Sequence, residues 1–150
     1  MLSKLLTTET VQIQRGGDFD WRDAIKKAAD PLLNQGKIEK SYVQAMITLV
    51  EKHGPYINIG PGIALAHARP ENGVREMGIS LLKVDPPIPL VNSAHPIQLF
   101  FVLAAVDNTK HLQVMKELAA LLQNPDHVQK IENATSSSEI VQLIKEETEK

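Results

Sequence analysis

The sequence has no cysteine and no long hydrophobic run. Without cysteine the protein has no disulfide framework, no cysteine nucleophile and no thiolate metal site, which is typical of a reducing compartment. No segment approaches the ~20 apolar residues that a membrane-spanning helix needs, and lysine and threonine interrupt the leucines near the N-terminus. We therefore expect a cytoplasmic protein with no direct membrane insertion.

The sequence also has little charge of one sign and no metal-binding pattern. It contains 16 lysine and arginine residues and 18 aspartate and glutamate residues, a net charge of −2. Nucleic acids and anionic membranes attract clustered lysine and arginine, so we expect neither as a partner. The histidines, which include no i, i+4 pair and no His-x-His, are His53, His67, His95, His111 and His127. This spacing predicts no metal site, and no cofactor is expected.

Segments of strand and helix character alternate along the chain. Strands are predicted over 10–14, 56–59, 63–66, 77–84 and 97–106, and helices begin near 20, 41, 109, 125 and 137. Residues 97–106 are almost wholly apolar, which is typical of a strand covered on both faces at the centre of a sheet. The chain of 150 residues is long enough for one domain that buries about two thirds of its unfolded surface. We predict a single-domain α/β sandwich over residues 1–150, with a mixed, largely parallel central sheet flanked by helices.

Proline and capping residues give further local expectations. Pro31 lacks a backbone donor, so it should kink the first long helix or end its first part. Three prolines fall within residues 85–89, which should therefore be a stiff connection outside regular strand pairing. Asp20 is a plausible N-cap for the first long helix and Ser41 for the second.

One histidine lies where a short apolar segment passes into a polar turn. Residues 60–74 read Gly-Pro-Gly-Ile-Ala-Leu-Ala-His-Ala-Arg-Pro-Glu-Asn-Gly-Val, so His67 directly follows the apolar residues 63–66. This segment is too short for a helix and indicates a buried strand, whose end would hold the imidazole on a rigid scaffold with one edge exposed. A neutral imidazole, with an ordinary pKa of ~6.5, has one ring nitrogen free to act as a nucleophile. A surface-loop histidine without a reactive role is the alternative.

This motif resembles the active-site segment of the enzyme IIA domains of the bacterial sugar phosphotransferase system, in the mannitol/fructose class and most closely its ascorbate branch. The resemblance covers nearly the whole chain and includes 53–57 (His-Gly-Pro-Tyr-Ile), 62–71 and 104–107 (Ala-Ala-Val-Asp). It implies that His67 is phosphorylated through Nε2 by a phosphohistidine of the small histidine phosphocarrier protein. The family usually has proline before this histidine, where the chain has Ala66.

The resemblance implies roles for further residues. His111 would hydrogen-bond the transferring phosphoryl group, which agrees with its place in the first turn of a helix, where free amides and the helix dipole favour an anion. An exposed helix-start histidine is the alternative. Arg69 is a candidate donor to the phosphoryl group, unless it is solvated or paired with Glu71. His53 would replace in part an arginine that the mannitol branch has in this region.

The resemblance also implies a series of partners. Glu71 and Asp107 would present acidic groups near His67 to the basic surface of the phosphocarrier protein. His67 would then pass the phosphoryl group to a cysteine of a separate enzyme IIB. Enzyme IIB would supply the membrane enzyme IIC for uptake of a sugar, with ascorbate as the expected one. The chain would be a phosphotransferase with a phosphohistidine intermediate.

Other functions stay open at this point. The main alternative is a regulatory phosphohistidine module, in which the same domain controls a transcription factor or a kinase without direct transport. A small hydrolase is a more distant alternative, because the sequence has no paired acid/base motif and no Gly-x-Ser-x-Gly elbow. Nucleotide binding is disfavoured, since no glycine-rich loop ends in Gly-Lys-Ser/Thr.

Overall fold

The computed structural model describes residues 1–149, the side chains of Asn108 and Lys110 excepted. The helices are α1 (Leu2–Leu5), α2 (Trp21–Asn34), α3 (Lys40–His53), α4 (Asn108–Gln123), α5 (Pro125–Asn133) and α6 (Ser137–Thr148). The strands are β1 (Val11–Arg15), β2 (Asn58–Gly60), β3 (Gly62–Ala66), β4 (Gly78–Pro89) and β5 (Pro96–Ala104), and a 3-10 turn spans Pro70–Asn72.

The five strands of the described chain form one sheet in the order β1-β4-β5-β3-β2. β1 runs parallel to β4, and β3 runs parallel to β5. β4 and β5 pair antiparallel, as do β2 and β3. The strand β5 lies at the centre, as its apolar sequence predicts. The predicted α/β sandwich with a mixed sheet is therefore confirmed.

Hydrophobic residues fill both faces of the sheet. Successive side chains of a strand point to opposite faces, so Phe100 of β5 packs with residues of α2 and α3, whereas Phe101 packs with residues of α1, α4, α5 and α6. Both rings are almost fully buried. Because packed cores cover both faces, groups that meet a partner must lie at the strand ends and in the loops.

Pro31 lies inside α2, which continues to Asn34. This proline was expected to kink the helix or to end its first part, and the helix does not end there. Proline cannot donate to the carbonyl four residues earlier, which is that of Lys27. That carbonyl instead accepts a hydrogen bond of 2.7 Å from Nε2 of Gln12 on β1. A side chain of the neighbouring strand therefore satisfies the carbonyl that the proline leaves free.

The prediction that residues 85–89 form a connection is wrong, because β4 continues to Pro89, whereas the expected loss of regular pairing at the prolines is found at Pro86 and Pro87. The register between β4 and β5 shifts between Lys83 and Ile88. Pro86 and Pro87 fall within this interruption, where the partner strand needs no amide donor from them. An irregularity in the pairing thus allows the strand to contain prolines.

The two predicted helix caps have different outcomes. Asp20 caps α2, because its Oδ1 accepts hydrogen bonds from two backbone amides of the first turn. The predicted cap at Ser41 is wrong, since the N-cap of α3 is Glu39, whose side chain makes no capping bond. Ser41 Oγ instead donates to the carbonyl of Asn72 at 2.8 Å. This bond ties α3 to the loop that follows β3.

Candidate functional site

The C-terminal ends of β3 and β5 border a cavity of about 350 Å³. The two strands are parallel neighbours, so their ends meet at one edge of the sheet, where α/β sheets commonly bind ligands. His67 directly follows β3, and His111 lies on α4, the helix that follows β5. The polar and aromatic residues of the lining are Tyr42, Tyr56, His67, Arg69, Asp107 and His111. The cavity therefore brings together four of the six predicted site residues.

One ring nitrogen of the His67 imidazole contacts a backbone carbonyl oxygen. The residue is half-buried at the cavity. Its Nδ1 lies 3.1 Å from the backbone carbonyl oxygen of Leu65. A carbonyl oxygen only accepts, so this contact requires the hydrogen on Nδ1. In the neutral ring Nε2 then has the lone pair. The fold thus selects the tautomer in which Nε2 is the nucleophilic atom.

His111 is the fourth residue of α4 and is half-buried. Its Nδ1 is buried and has no hydrogen-bond partner among the described residues. Asp107, just before the helix, accepts a hydrogen bond of 3.0 Å from the amide of Thr109, as expected of a capping residue. The positive end of the α4 dipole therefore lies at the same cavity as His67.

Tyr42 of α3 holds the chain in place on both sides of the cavity. Its hydroxyl donates to the carbonyl of Leu103 at 2.6 Å and accepts from the amide of Ala68 at 3.1 Å. Leu103 belongs to β5, and Ala68 directly follows His67. Burial raises the pKa of Tyr42 to about 12, so the donating hydrogen stays in place at physiological pH. One hydroxyl thus joins the ends of the two strands that border the site.

Tyr42→Phe is expected to lower the free energy of unfolding by about 1–3 kcal/mol, because the buried carbonyl of Leu103 and the part-buried amide of Ala68 would lose their partner. Urea denaturation followed by the fluorescence of the single tryptophan, Trp21, measures this change. Tyr56→Phe is the matched control, since Tyr56 is 43% exposed, and its effect should stay within about 0.5 kcal/mol. Equal losses in the two variants would contradict the anchoring role of Tyr42.

Tyr56 connects two of the predicted histidines. Its ring meets His67 edge to face, with centroids 6.1 Å apart, and meets His53 in the same manner at 6.2 Å. His53 is exposed and contacts the site through this ring. Sequence reasoning assigned no role to Tyr42 or Tyr56. A signal for Tyr56 was present, because it belongs to the segment 53–57 that is similar to the family motif.

Arg69 and Glu71 lie on the loop after β3. Arg69 Nη1 is 4.0 Å from Glu71 Oε1, and the two side chains are 83% and 68% exposed. A pair this exposed contributes little to stability, so the guanidinium is free to turn toward the cavity that it borders. Glu71 lies outside the cavity lining.

The described residues include neither a metal-ligand cluster nor a membrane-spanning helix. Within 1–149 no three His, Cys, Asp or Glu residues are grouped so that they would hold a metal ion. None of the helices α1–α6, as far as they are described, is both long and apolar enough to cross a bilayer.

The sequence and the fold are similar to those of known proteins. The profile of the family described as "Phosphoenolpyruvate-dependent sugar phosphotransferase system, EIIA 2" matches residues 4–147. The ascorbate-specific PTS system EIIA component of Shigella boydii is 29% identical over 142 residues, which are 93% of this chain and 92% of that protein.

Two solved structures from Escherichia coli are similar over most of their length. The mannitol-specific cryptic phosphotransferase enzyme IIA CmtB superimposes with a TM-score of 0.87 at 28% identity, covering 97% of this chain and 98% of that one. Mannitol enzyme IIA, solved in complex with phosphorylated enzyme IIB, gives a TM-score of 0.77 at 25% identity, with 93% and 96% covered. Because the profile spans nearly all of the sequence and the fold agrees, the chain belongs to the EIIA 2 family of the phosphoenolpyruvate-dependent sugar phosphotransferase system.

Proposed function

We propose that His67 carries a phosphoryl group from the histidine phosphocarrier protein to enzyme IIB, so that the protein acts as the phosphoryl-transfer component of a cytoplasmic sugar-uptake relay. The observation that carries the proposal is the contact between His67 Nδ1 and the carbonyl of Leu65. This contact leaves Nε2 as the nucleophile at a cavity that also contains His111.

The transfer step needs no other covalent group. The lone pair of His67 Nε2 attacks the phosphorus of a phosphohistidine on the phosphocarrier protein, in line with the nitrogen that leaves. The new N–P bond forms as the donor's N–P bond breaks, and the donor nitrogen keeps the electron pair. The hydrogen stays on His67 Nδ1 throughout and remains donated to the carbonyl of Leu65. In the second transfer, a thiolate of enzyme IIB attacks the same phosphorus and Nε2 regains its lone pair.

Phosphoryl transfer is catalysed mainly by positioned donors that stabilise the equatorial oxygens. His111 and the amides at the start of α4 supply such donors on one side of the cavity. Arg69 supplies a mobile positive charge on the other side, because its pairing with Glu71 at 4.0 Å is weak. Tyr56 and, through it, His53 support the ring of His67.

The surface near the cavity fits a transient partner. Tyr56, Val106 and Leu112 are large hydrophobic residues that are 43%, 44% and 62% exposed, and Asp107 and Glu71 add acidic groups nearby. An apolar patch with an acidic rim suits a basic partner that must bind and leave quickly. The complex of mannitol enzyme IIA with phosphorylated enzyme IIB supports enzyme IIB as the next partner. Enzyme IIC would be reached only through enzyme IIB.

Ascorbate is the sugar we propose for the uptake system. The ascorbate-specific EIIA component from Shigella boydii aligns with 93% of the chain, and the segment 53–57 is similar to that branch. The cavity at His67 needs no sugar site for this role, since the sugar would be bound by the membrane subunit.

The phosphorylated atom can be mapped directly. The protein, labelled with ¹⁵N-histidine, would be incubated with phosphoenolpyruvate, enzyme I and the phosphocarrier protein. We expect one acid-labile phosphoryl group per chain, located on Nε2 of His67 by the ¹⁵N shifts of its ring. Addition of enzyme IIB should then discharge it.

The possible outcomes separate the hypotheses. A phosphoryl group on another histidine, or none on the folded protein, would refute the assignment of His67. A phosphoryl group that forms on His67 but is never discharged by enzyme IIB would favour the regulatory module over the transport component.

A further inference from the structure

A second cavity, of about 630 Å³, lies between the β2–β3 turn and the helices α4 and α5. Its walls are mainly apolar and include Ile59, Pro61, Met115 and Leu122, whereas Glu132 is the single charged residue among the described residues that line it. Small-molecule sites have volumes in this range and combine apolar walls with a few polar groups. Neither the apolar walls nor Glu132 takes part in the proposed phosphoryl transfer.

The carboxylate of Glu132 has no strong partner within the described part of the chain. Its Oε2 lies 3.4 Å from the position that a Cβ would occupy at Gly62, so it packs against the start of β3. The nearby ammonium of Lys83 donates to the carbonyl of Ala134. Among the described residues, no hydrogen-bond donor and no ion pair reaches the Glu132 carboxylate.

The negative charge of Glu132 does not stabilise the folded protein. Burial raises the pKa of this carboxyl, and the positive charge of Lys83 offsets only part of the effect. A carboxyl with a raised pKa in the folded state lowers stability as the pH rises from its unfolded pKa through its folded pKa. The ionised group therefore opposes folding at neutral pH. Groups held in such surroundings are commonly functional, and a bound cation would remove the penalty.

The cavity also adjoins both elements that carry the site histidines. Glu132 packs on Gly62, the first residue of β3, and His67 directly follows that strand. Met115 lies four residues after His111 on α4, which places both side chains on the same side of the helix. A molecule in this cavity would therefore contact the supports of both imidazoles.

From these observations we propose that the cavity binds a small molecule with an apolar body and a protonated amine, with the amine at Glu132, and that its binding is linked to the surroundings of His67 and His111. The apolar body contacts Met115 and Leu122. The binding part of the proposal is independent of the phosphoryl-transfer function.

Methionine methyl signals offer a direct test with an internal control. The chain has four methionines, so selective ¹³C labelling of their methyl groups gives four NMR signals. Met115 lines the cavity, whereas Met46 is buried on the opposite face of the sheet. Titration with n-octylamine should shift Met115 and leave Met46 unchanged. n-Octanol and octanoate, with the same chain but no positive charge, should bind more weakly.

Variants of the cavity make the test specific. Glu132→Gln keeps the shape of the side chain and should lower the affinity for octylamine by about three- to tenfold. The affinity for octanol should change by less than about twofold. Ala119→Trp should fill the cavity and abolish the Met115 shift. An unshifted Met115, equal affinity for the three probes, or unchanged binding by Ala119→Trp would overturn the binding site.

Two further outcomes are decisive. A Met115 signal that moves with protein concentration alone, together with a doubled mass in sedimentation, would show that a second copy covers the cavity, and would overturn the proposal. Ring signals of His67 and His111 that stay fixed at saturating octylamine would overturn the linkage to the histidines. We expect both ring signals to shift while that of His127, which pairs with Glu147 of α6 and does not line this cavity, shifts least.

Discussion

His67→Ala is expected to lose phosphoryl acceptance from the phosphocarrier protein, with a rate lower by on the order of 10³-fold or more, because the nucleophile itself is removed. The remaining donors would still bind phosphoryl oxygens, but no other group at the cavity is positioned to form the N–P bond. His111 does not replace it, since it is tied to the start of α4 rather than to the end of β3. Single-turnover transfer of ³²P from the phosphorylated carrier measures the rate.

The loss must be separated from misfolding and from a general effect of removing histidine. His127→Gln removes a histidine of α5 that does not line the cavity, and this variant should transfer at the wild-type rate. The fluorescence of the buried Trp21 shows whether each variant is folded. Wild-type transfer by a folded His67→Ala would show that another residue is phosphorylated.

The features of the fold that sequence predicts well are set by local physics. The almost wholly apolar sequence of β5 predicts a central strand, because side chains that alternate between the two faces of the sheet are then buried on both faces. Asp20 predicts the start of α2 because its carboxylate satisfies free amides of the first turn. The position of His67 at the end of β3 is likewise predicted from local sequence, since it directly follows a short apolar segment, but its reactive role is proposed from the family resemblance.

Contacts between distant segments explain what sequence did not predict. The role of Tyr42 depends on the Ala68 amide, 26 residues away, and on the Leu103 carbonyl, 61 residues away. The persistence of α2 through Pro31 depends on Gln12, a residue of another strand. The meeting of His67 and His111 depends on the parallel pairing of β3 with β5, which sequence periodicity does not reveal. The proximity of His67 and His111 was instead expected from the resemblance to the family.

His111→Ala is expected to slow transfer to His67 by about 10- to 10³-fold, as is typical when one donor to a charged transition state is removed. The final amount of phosphoryl group on His67 should stay near one per chain, because the nucleophile is intact. The structural reason is the position of His111 at the cavity, in the first turns of α4, with a buried Nδ1 that no described residue satisfies. Quenched-flow measurement of single-turnover transfer separates the rate from the final amount.

Two further variants distinguish hydrogen bonding by His111 from a structural role. His111→Gln retains a donor on a side chain of similar reach, so it should recover part of the lost rate, whereas a merely structural residue would show no such rescue. Gln113→Ala changes an exposed residue of the same helix and should transfer at the wild-type rate. If His111→Ala is as fast as wild type while remaining folded, the phosphoryl oxygens are stabilised by the α4 amides and Arg69 alone. If it lowers the final amount as much as His67→Ala does, His111 acts on the nucleophile and not on the transferring group.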